Sequence, residues 1–78
     1  MSLTTDLIEE LRILSLYNLD SLQEGIKVHG SANADSIAAA NRLFNKGLIS
    51  QADGGYLTDL GIESAEHIQA ALTILNSR

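Results

Sequence analysis

Apolar side chains recur along much of the chain at the three- and four-residue spacing typical of amphipathic helices. A first helix is predicted from about Thr5 to Tyr17, with Thr4 or Thr5 as its N-cap. One face is a leucine stripe, made of Leu3, Leu7, Leu11 and Leu14. Three further apolar residues lie off that stripe: Ile8, Ile13 and Leu16. A helix this broadly apolar is covered on more than one side, either by the rest of the chain or by a second subunit.

A short second helix is predicted after Asn18 and Leu19. Its start has two alternatives, a capping box of Ser21 with Glu24 or one of Asp20 with Gln23. Leu22 and Ile26 are expected to point inward, and the helix is expected to end at 29–31, the sequence His-Gly-Ser.

The third predicted helix begins at Ser31 or Asn33 and ends at Gly47, because glycine readily adopts the left-handed conformation that closes a helix. Its inward face is predicted to carry Ile37, Ala40, Phe44 and Leu48. The opposite face is the candidate DNA- or partner-binding surface, and its residues are Asp35, Ala38, Arg42, Asn45 and Lys46.

A β-hairpin is predicted between Leu48 and Thr58, because Gly54 and Gly55 suit a tight turn. A fourth helix follows from Asp59 or Gly61 to Asn76, with Thr58 or Asp59 as its cap. Its core stripe is predicted to be Ala65, Ile68, Leu72 and Leu75, with Ile74 on another side. Ile74 and the off-stripe residues of the first helix together predict a homodimer formed by the first and fourth helices.

The composition indicates a single domain over residues 1–78, with 45% hydrophobic residues and no cysteine. No apolar run approaches the ~20 residues of a membrane span, and the start of the chain lacks the pattern of a signal peptide. We therefore expect a cytoplasmic protein without membrane contact. Glu63 and His67 are one helical turn apart, but a structural zinc site usually needs four ligands. We expect no metal, no cofactor, no catalytic residues and no enzyme activity.

The charge is unevenly distributed. The formal net charge is −5, yet residues 31–50 hold Arg42 and Lys46 against Asp35, which makes that segment the only net-basic part of the chain. Arginine can bond guanine and asparagine can bond adenine from a helix in the major groove, which makes Arg42 and Asn45 candidate base readers. Two basic residues are few for duplex binding, however, because a specific dimer commonly makes 6–10 phosphate contacts.

The residues from 42 to 61 carry a family resemblance. RLFNKGLI, a short turn and then YLTDLG resemble the winged helix-turn-helix of multiple-antibiotic-resistance-type regulators. The matching residues are Arg42, Leu43, Lys46, Gly47, Leu48, Ile49, Tyr56, Leu57, Thr58 and Gly61, and the resemblance covers about Leu19 to Gly61. It implies a mainly α, winged-helix-like domain of four helices with a short two-stranded wing. Those regulators have a longer, basic wing, whereas this one is four residues with Asp53 at its tip.

The whole chain also resembles a small family of uncharacterised bacterial proteins, loosely labelled as related to inhibitors of DNA binding. Two functional hypotheses follow from the sequence. The first is a non-enzymatic regulatory module that binds DNA weakly through the third helix. The second is an acidic protein–protein interaction module that uses the same scaffold without binding DNA, since an acidic surface suppresses contact with nucleic acid.

Overall fold

The computed structural model describes residues 2–21 and 23–77. In that part of the chain, three helices and three strands follow one another. Their order is α1 (Thr5–Ser15), β1 (Ile26–Lys27), α2 (Ala34–Asn45), β2 (Ile49–Gln51), β3 (Gly54–Leu57) and α3 (Asp59–Leu75). The strands form one antiparallel sheet in the order β1-β3-β2.

Short polar side chains begin each helix, as the sequence predicts. Thr4 accepts a hydrogen bond from the backbone N–H of Leu7, and Asn33 accepts one from Ser36. Thr58 does the same for the N–H of Gly61. Each contact satisfies one of the free N–H groups in a first helical turn. Gly47, with φ of +81°, follows the end of α2.

The expected fold class is wrong. The described residues do not form four helices with a two-stranded wing; they form a small mixed α/β domain with three helices and a three-stranded sheet. The hairpin of β2 and β3 lies within the predicted range. Its β3 strand also pairs with β1, and Ile26 lies opposite Gly55.

The error lies in the predicted second helix, because residues 23–30 contain a turn and β1 instead of helical structure. The Asn18 side chain organises this region: its Oδ1 accepts from the Asp20 N–H at 2.9 Å and its Nδ2 donates to Glu24 at 2.7 Å. Glu24 therefore accepts a hydrogen bond from Asn18 and does not form the predicted capping box with Ser21. Gly25 and Gly30 disfavour helix, and β-branched Ile26 is stabilised in a strand by pairing with β3. Leu22, expected to point inward, lies outside the described residues.

The core lies between α1, α2 and the sheet. Its buried residues are Ile13, Leu14, Tyr17, Ala39, Ala40, Leu43 and Ile49. Two expectations are corrected here. Ile13, predicted to lie off the leucine stripe, is 3% exposed, and Phe44, predicted to face inward, is 42% exposed. The buried face of α2 is centred on Ala39 and Leu43, which are one helical turn apart, and Phe44 lies about 100° around the helix from Leu43.

Two polar side chains connect the end of α1 to the rest of the fold. Gln69 of α3 donates through Nε2 to the carbonyl oxygens of Tyr17 at 2.7 Å and Leu14 at 3.3 Å. The Tyr17 hydroxyl donates to the Gly55 carbonyl oxygen at 3.1 Å. The Gln69 amide thus satisfies a carbonyl that α1 leaves free in its last turn and another just beyond the helix. Together the bonds of Gln69 and Tyr17 fix the end of α1 against both α3 and β3.

The burial of α3 changes along its length. Gly61 and Ala65 in its first half are buried, whereas every residue from Ala70 to Leu75 is exposed. The predicted core stripe therefore holds only at its beginning, since Leu72 is 39% and Leu75 is 74% exposed. No helix in the described ranges is both long and apolar enough to cross a membrane.

Candidate functional site

The two basic residues of the predicted α2 surface are bound to α1. The Arg42 Nε donates to Glu10 Oε2 at 2.7 Å, and its Nη2 donates to the Asp6 carbonyl oxygen at 3.1 Å. The Lys46 ammonium donates to Glu10 Oε1. Glu10 is only 4% exposed, so its carboxylate is enclosed between α1 and α2 with both oxygens occupied. Ionic hydrogen bonds of this kind are stronger than neutral ones.

The electrostatics of this cluster favour the ionised forms. Burial acts to raise the pKa of Glu10, but the hydrogen bonds and charges of Lys46 and Arg42 outweigh it and hold the pKa below its ordinary value of 4.5. The hydrogen bond to Glu10 is the main cause that raises the pKa of Arg42, with added attraction from Asp6 and Asp35. The carboxylates of Glu10 and Asp6, both on α1, thus offset the positive charges of Arg42 and Lys46.

The remaining predicted surface residues are exposed. Asp35, Ala38 and Asn45 all lie on the outside of α2, and Arg42 is half-buried. The structure therefore brings the candidate DNA- or partner-binding residues onto one helix, but it separates their roles. Arg42 and Lys46 hold α2 to α1, and the other three face solvent. Two of the three guanidinium nitrogens of Arg42 already donate to α1, which leaves Arg42 poorly placed for a bidentate contact with a base.

A second feature is an apolar groove of about 670 Å³ between α1 and α3. One wall is formed by Leu3, Ile8 and Leu11, and the other by Ile68, Leu72 and Leu75. Arg12 and His67 also line it. Beyond the groove, Ile74 of the same helix is 70% exposed. A continuous apolar surface of this kind on a small protein marks an interaction site more often than a single exposed leucine does.

The charge pattern along α3 follows its burial. Asp59, Glu63 and Glu66 lie in the first half, whereas residues 68–77 contain no charged side chain. The exposed half of α3 is thus also its neutral half. In a protein with a net charge of −5, this segment is the place where another acidic surface can approach with the least repulsion.

The sequence predicted part of this arrangement. Ile8, off the leucine stripe of the first helix, and Ile74, on another side of the last helix, are the residues from which it predicts a dimer surface, and both are exposed. It missed the buried Glu10, although an acid on the same helical face as Leu14 and Tyr17 is a detectable signal for a buried ion pair. It also missed Gln69, whose role depends on contacts 52 to 55 residues apart.

Glu63 and His67 remain two isolated candidates for metal binding. Within residues 2–21 and 23–77, no three histidine, cysteine or acidic side chains group closely enough to hold an ion.

A family model matches residues 1–76, and the chain belongs to that family, which is described as a family of unknown function (DUF5669). No curated protein and no solved structure matches the chain.

Proposed function

We propose that this protein is a non-enzymatic protein–protein interaction module, and that it forms a homodimer through the groove between α1 and α3. The observation that carries the proposal is the coincidence of three properties in one place: the groove is apolar, the adjoining half of α3 is exposed, and that half is uncharged. Burial of exposed apolar surface is the main favourable contribution to association.

A second copy of the chain suits this surface better than a basic partner does. The groove needs an apolar ridge to fill it, and the exposed half of α3, with Ile74 and Leu75, is such a ridge. In a two-fold dimer each copy supplies both the groove and the ridge, so one patch serves both roles. The neutral segment 68–77 lets two chains of charge −5 meet without placing carboxylates face to face.

The available surface is consistent with a modest dimer. Stable interfaces bury roughly 800 Å² per partner, which is roughly a seventh of the 5318 Å² accessible surface of this chain. Ten residues line the groove, whereas a standard interface uses about 20–30 per side. We therefore expect association in the micromolar range.

Sedimentation of two matched variants tests the proposal. Leu75→Ser removes a groove residue that is 74% exposed, and Leu60→Ser makes the same change at a 53% exposed site on the first turn of α3. A two-fold dimer loses two copies of the Leu75 contact, at ~1 kcal/mol or more each, so its Kd should rise about thirtyfold or more. Leu60→Ser should dimerise like the wild type. A wild-type chain that sediments at 8.4 kDa at high micromolar concentration refutes the dimer.

Salt separates this proposal from its competitor, weak DNA binding through α2. Salt screens the repulsion between two acidic chains and should tighten the dimer, whereas it weakens any protein–DNA complex. DNA binding is less well supported, because Arg42 and Lys46 are engaged by Glu10 and Asp6. We expect no electrophoretic shift on duplex DNA at ~50 mM salt. A shift that Arg42→Ala abolishes would favour the DNA proposal.

A further inference from the structure

We infer that the two α3 helices of the dimer pack antiparallel about their uncharged halves, so that Arg12 and His67 of each copy bind the C-terminal turn of the partner's α3. This inference rests on the proposed homodimer and specifies its geometry. It assigns a role to Arg12 and His67, the two nitrogen-bearing side chains in a mostly apolar lining.

The charge distribution along α3 selects the direction of packing. A parallel arrangement places Asp59, Glu63 and Glu66 beside the same three carboxylates of the partner. An antiparallel arrangement centred on the neutral segment, near Leu72, moves the two acidic halves to opposite ends. Like charges in direct contact disfavour association, so the antiparallel arrangement is the one that two acidic chains can adopt.

The register follows from the position of that centre. If residue 72 of one copy lies opposite residue 72 of the other, residues 76 and 77 of the partner lie opposite Ile68 and His67. Arg12 lines the groove together with these two residues. The end of the partner's helix is thereby brought to the two side chains in the groove that can carry positive charge.

The chemistry of the two surfaces is complementary. The C-terminus of a helix carries about half a negative charge, and basic side chains stabilise it. The last turn of α3 has no basic residue of its own. Arg12 is available for the contact, because its side chain is 67% exposed and its pairing with Glu9, at 3.5 Å, is a local one within α1.

A charge exchange tests the contact between Arg12 and the partner's helix end. Arg12→Glu should weaken the dimer, and Ser77→Lys should weaken it as well, because the new ammonium meets Arg12. The double variant pairs the new glutamate with the new lysine across the interface. It should recover at least tenfold in affinity relative to Arg12→Glu, although its net charge is −6, against −5 for the wild type.

A matched control removes the effect of net charge. Lys27→Glu changes the charge by the same amount on β1, which is not part of the groove. Combined with Ser77→Lys, it gives a chain of net charge −6, the same as that of the charge-exchange double variant. This control should not bind more tightly than Ser77→Lys alone by more than about twofold.

Single cysteines supply a second measurement, since the chain has no cysteine of its own. Leu72→Cys should form a disulfide between copies under mild oxidation, because a two-fold axis near residue 72 brings the two sulfurs together. Glu63→Cys should not, because the same register separates its two copies by about 27 Å along the helices.

The outcomes distinguish this inference from the proposal on which it rests. A wild-type dimer in which the charge exchange gives no recovery, or in which Glu63→Cys cross-links as readily as Leu72→Cys, overturns the antiparallel arrangement and leaves the dimer standing. A monomeric wild type overturns both.

Discussion

Replacing Glu10 by glutamine should lower the stability of the fold by a measurable amount. The carboxylate is 4% exposed and accepts hydrogen bonds from Arg42 and Lys46, which lie 32 and 36 residues away. Glutamine has nearly the same shape but only one acceptor oxygen, and its amide group repels the second cation. The change therefore removes one ionic hydrogen bond and weakens the other, without creating a cavity.

The expected loss at pH 7 is about 1.5–3 kcal/mol, which is the range for a hydrogen bond to a charged group. The larger cost of a fully buried unpaired charge does not apply, since the Lys46 side chain is 47% exposed and can regain water. Urea unfolding followed by circular dichroism measures the difference, with wild type and variant at one protein concentration. Glu63→Gln is the control, because it makes the same change at an exposed site in the first half of α3 and should stay within about 0.5 kcal/mol.

The pH dependence of this difference supplies the sharper test. The pKa of Glu10 in the folded protein lies below 4.5, so its contribution to stability is present above that pH and is lost as the pH falls through the folded pKa. The wild type and Glu10→Gln should therefore converge in stability under acid. The reasoning is refuted by a difference under 0.5 kcal/mol at pH 7, or by one that grows on acidification.

Two further predictions concern the packing of the fold. Gly61→Ala should destabilise it by about 2 kcal/mol or more, because a Cβ there collides with the Leu48 carbonyl oxygen. Gly30→Ala, which meets nothing within 4 Å, should be neutral in the same urea titration. Burial raises the pKa of Tyr17 to about 12. Stability should therefore fall as the pH rises above 10, where tyrosine ionises in the unfolded chain, and Tyr17→Phe should lose this dependence; an unchanged alkaline slope would contradict it.

Local signals in the sequence predicted the helix ends well. The caps at Thr4, Asn33 and Thr58 and the glycine after α2 act within a few residues, so their effect is visible without tertiary information. The β2–β3 hairpin was equally local, because Gly54 and Gly55 adopt the positive φ values that it needs. The turn itself is at residues 52–53, however, and both glycines lie at the start of β3.

The features that failed depend on contacts between distant parts of the chain. Ile26 was assigned to a helix, since a two-residue strand has no periodicity and forms only because β3 pairs with it. The sequence also predicts that the basic residues on the candidate surface of α2 are available for binding, because their contacts with α1 are equally long-range. Nothing near Arg42 in the sequence indicates that Glu10 approaches it, and the pairing depends on how α1 and α2 cross.

Glu10 also connects the stability of the fold to the choice between the two proposed functions. Any contact of Arg42 or Lys46 with a phosphate must compete with a carboxylate that already holds both cations at close range. Glu10→Gln weakens that competition and makes the chain less acidic by one charge, so it favours DNA binding if α2 is a nucleic-acid surface at all. The groove lies between α1 and α3 and does not include Glu10, so the same variant should leave dimer formation unchanged. Glu10→Gln should thus change DNA binding, if α2 binds DNA, and should leave dimer formation as it is.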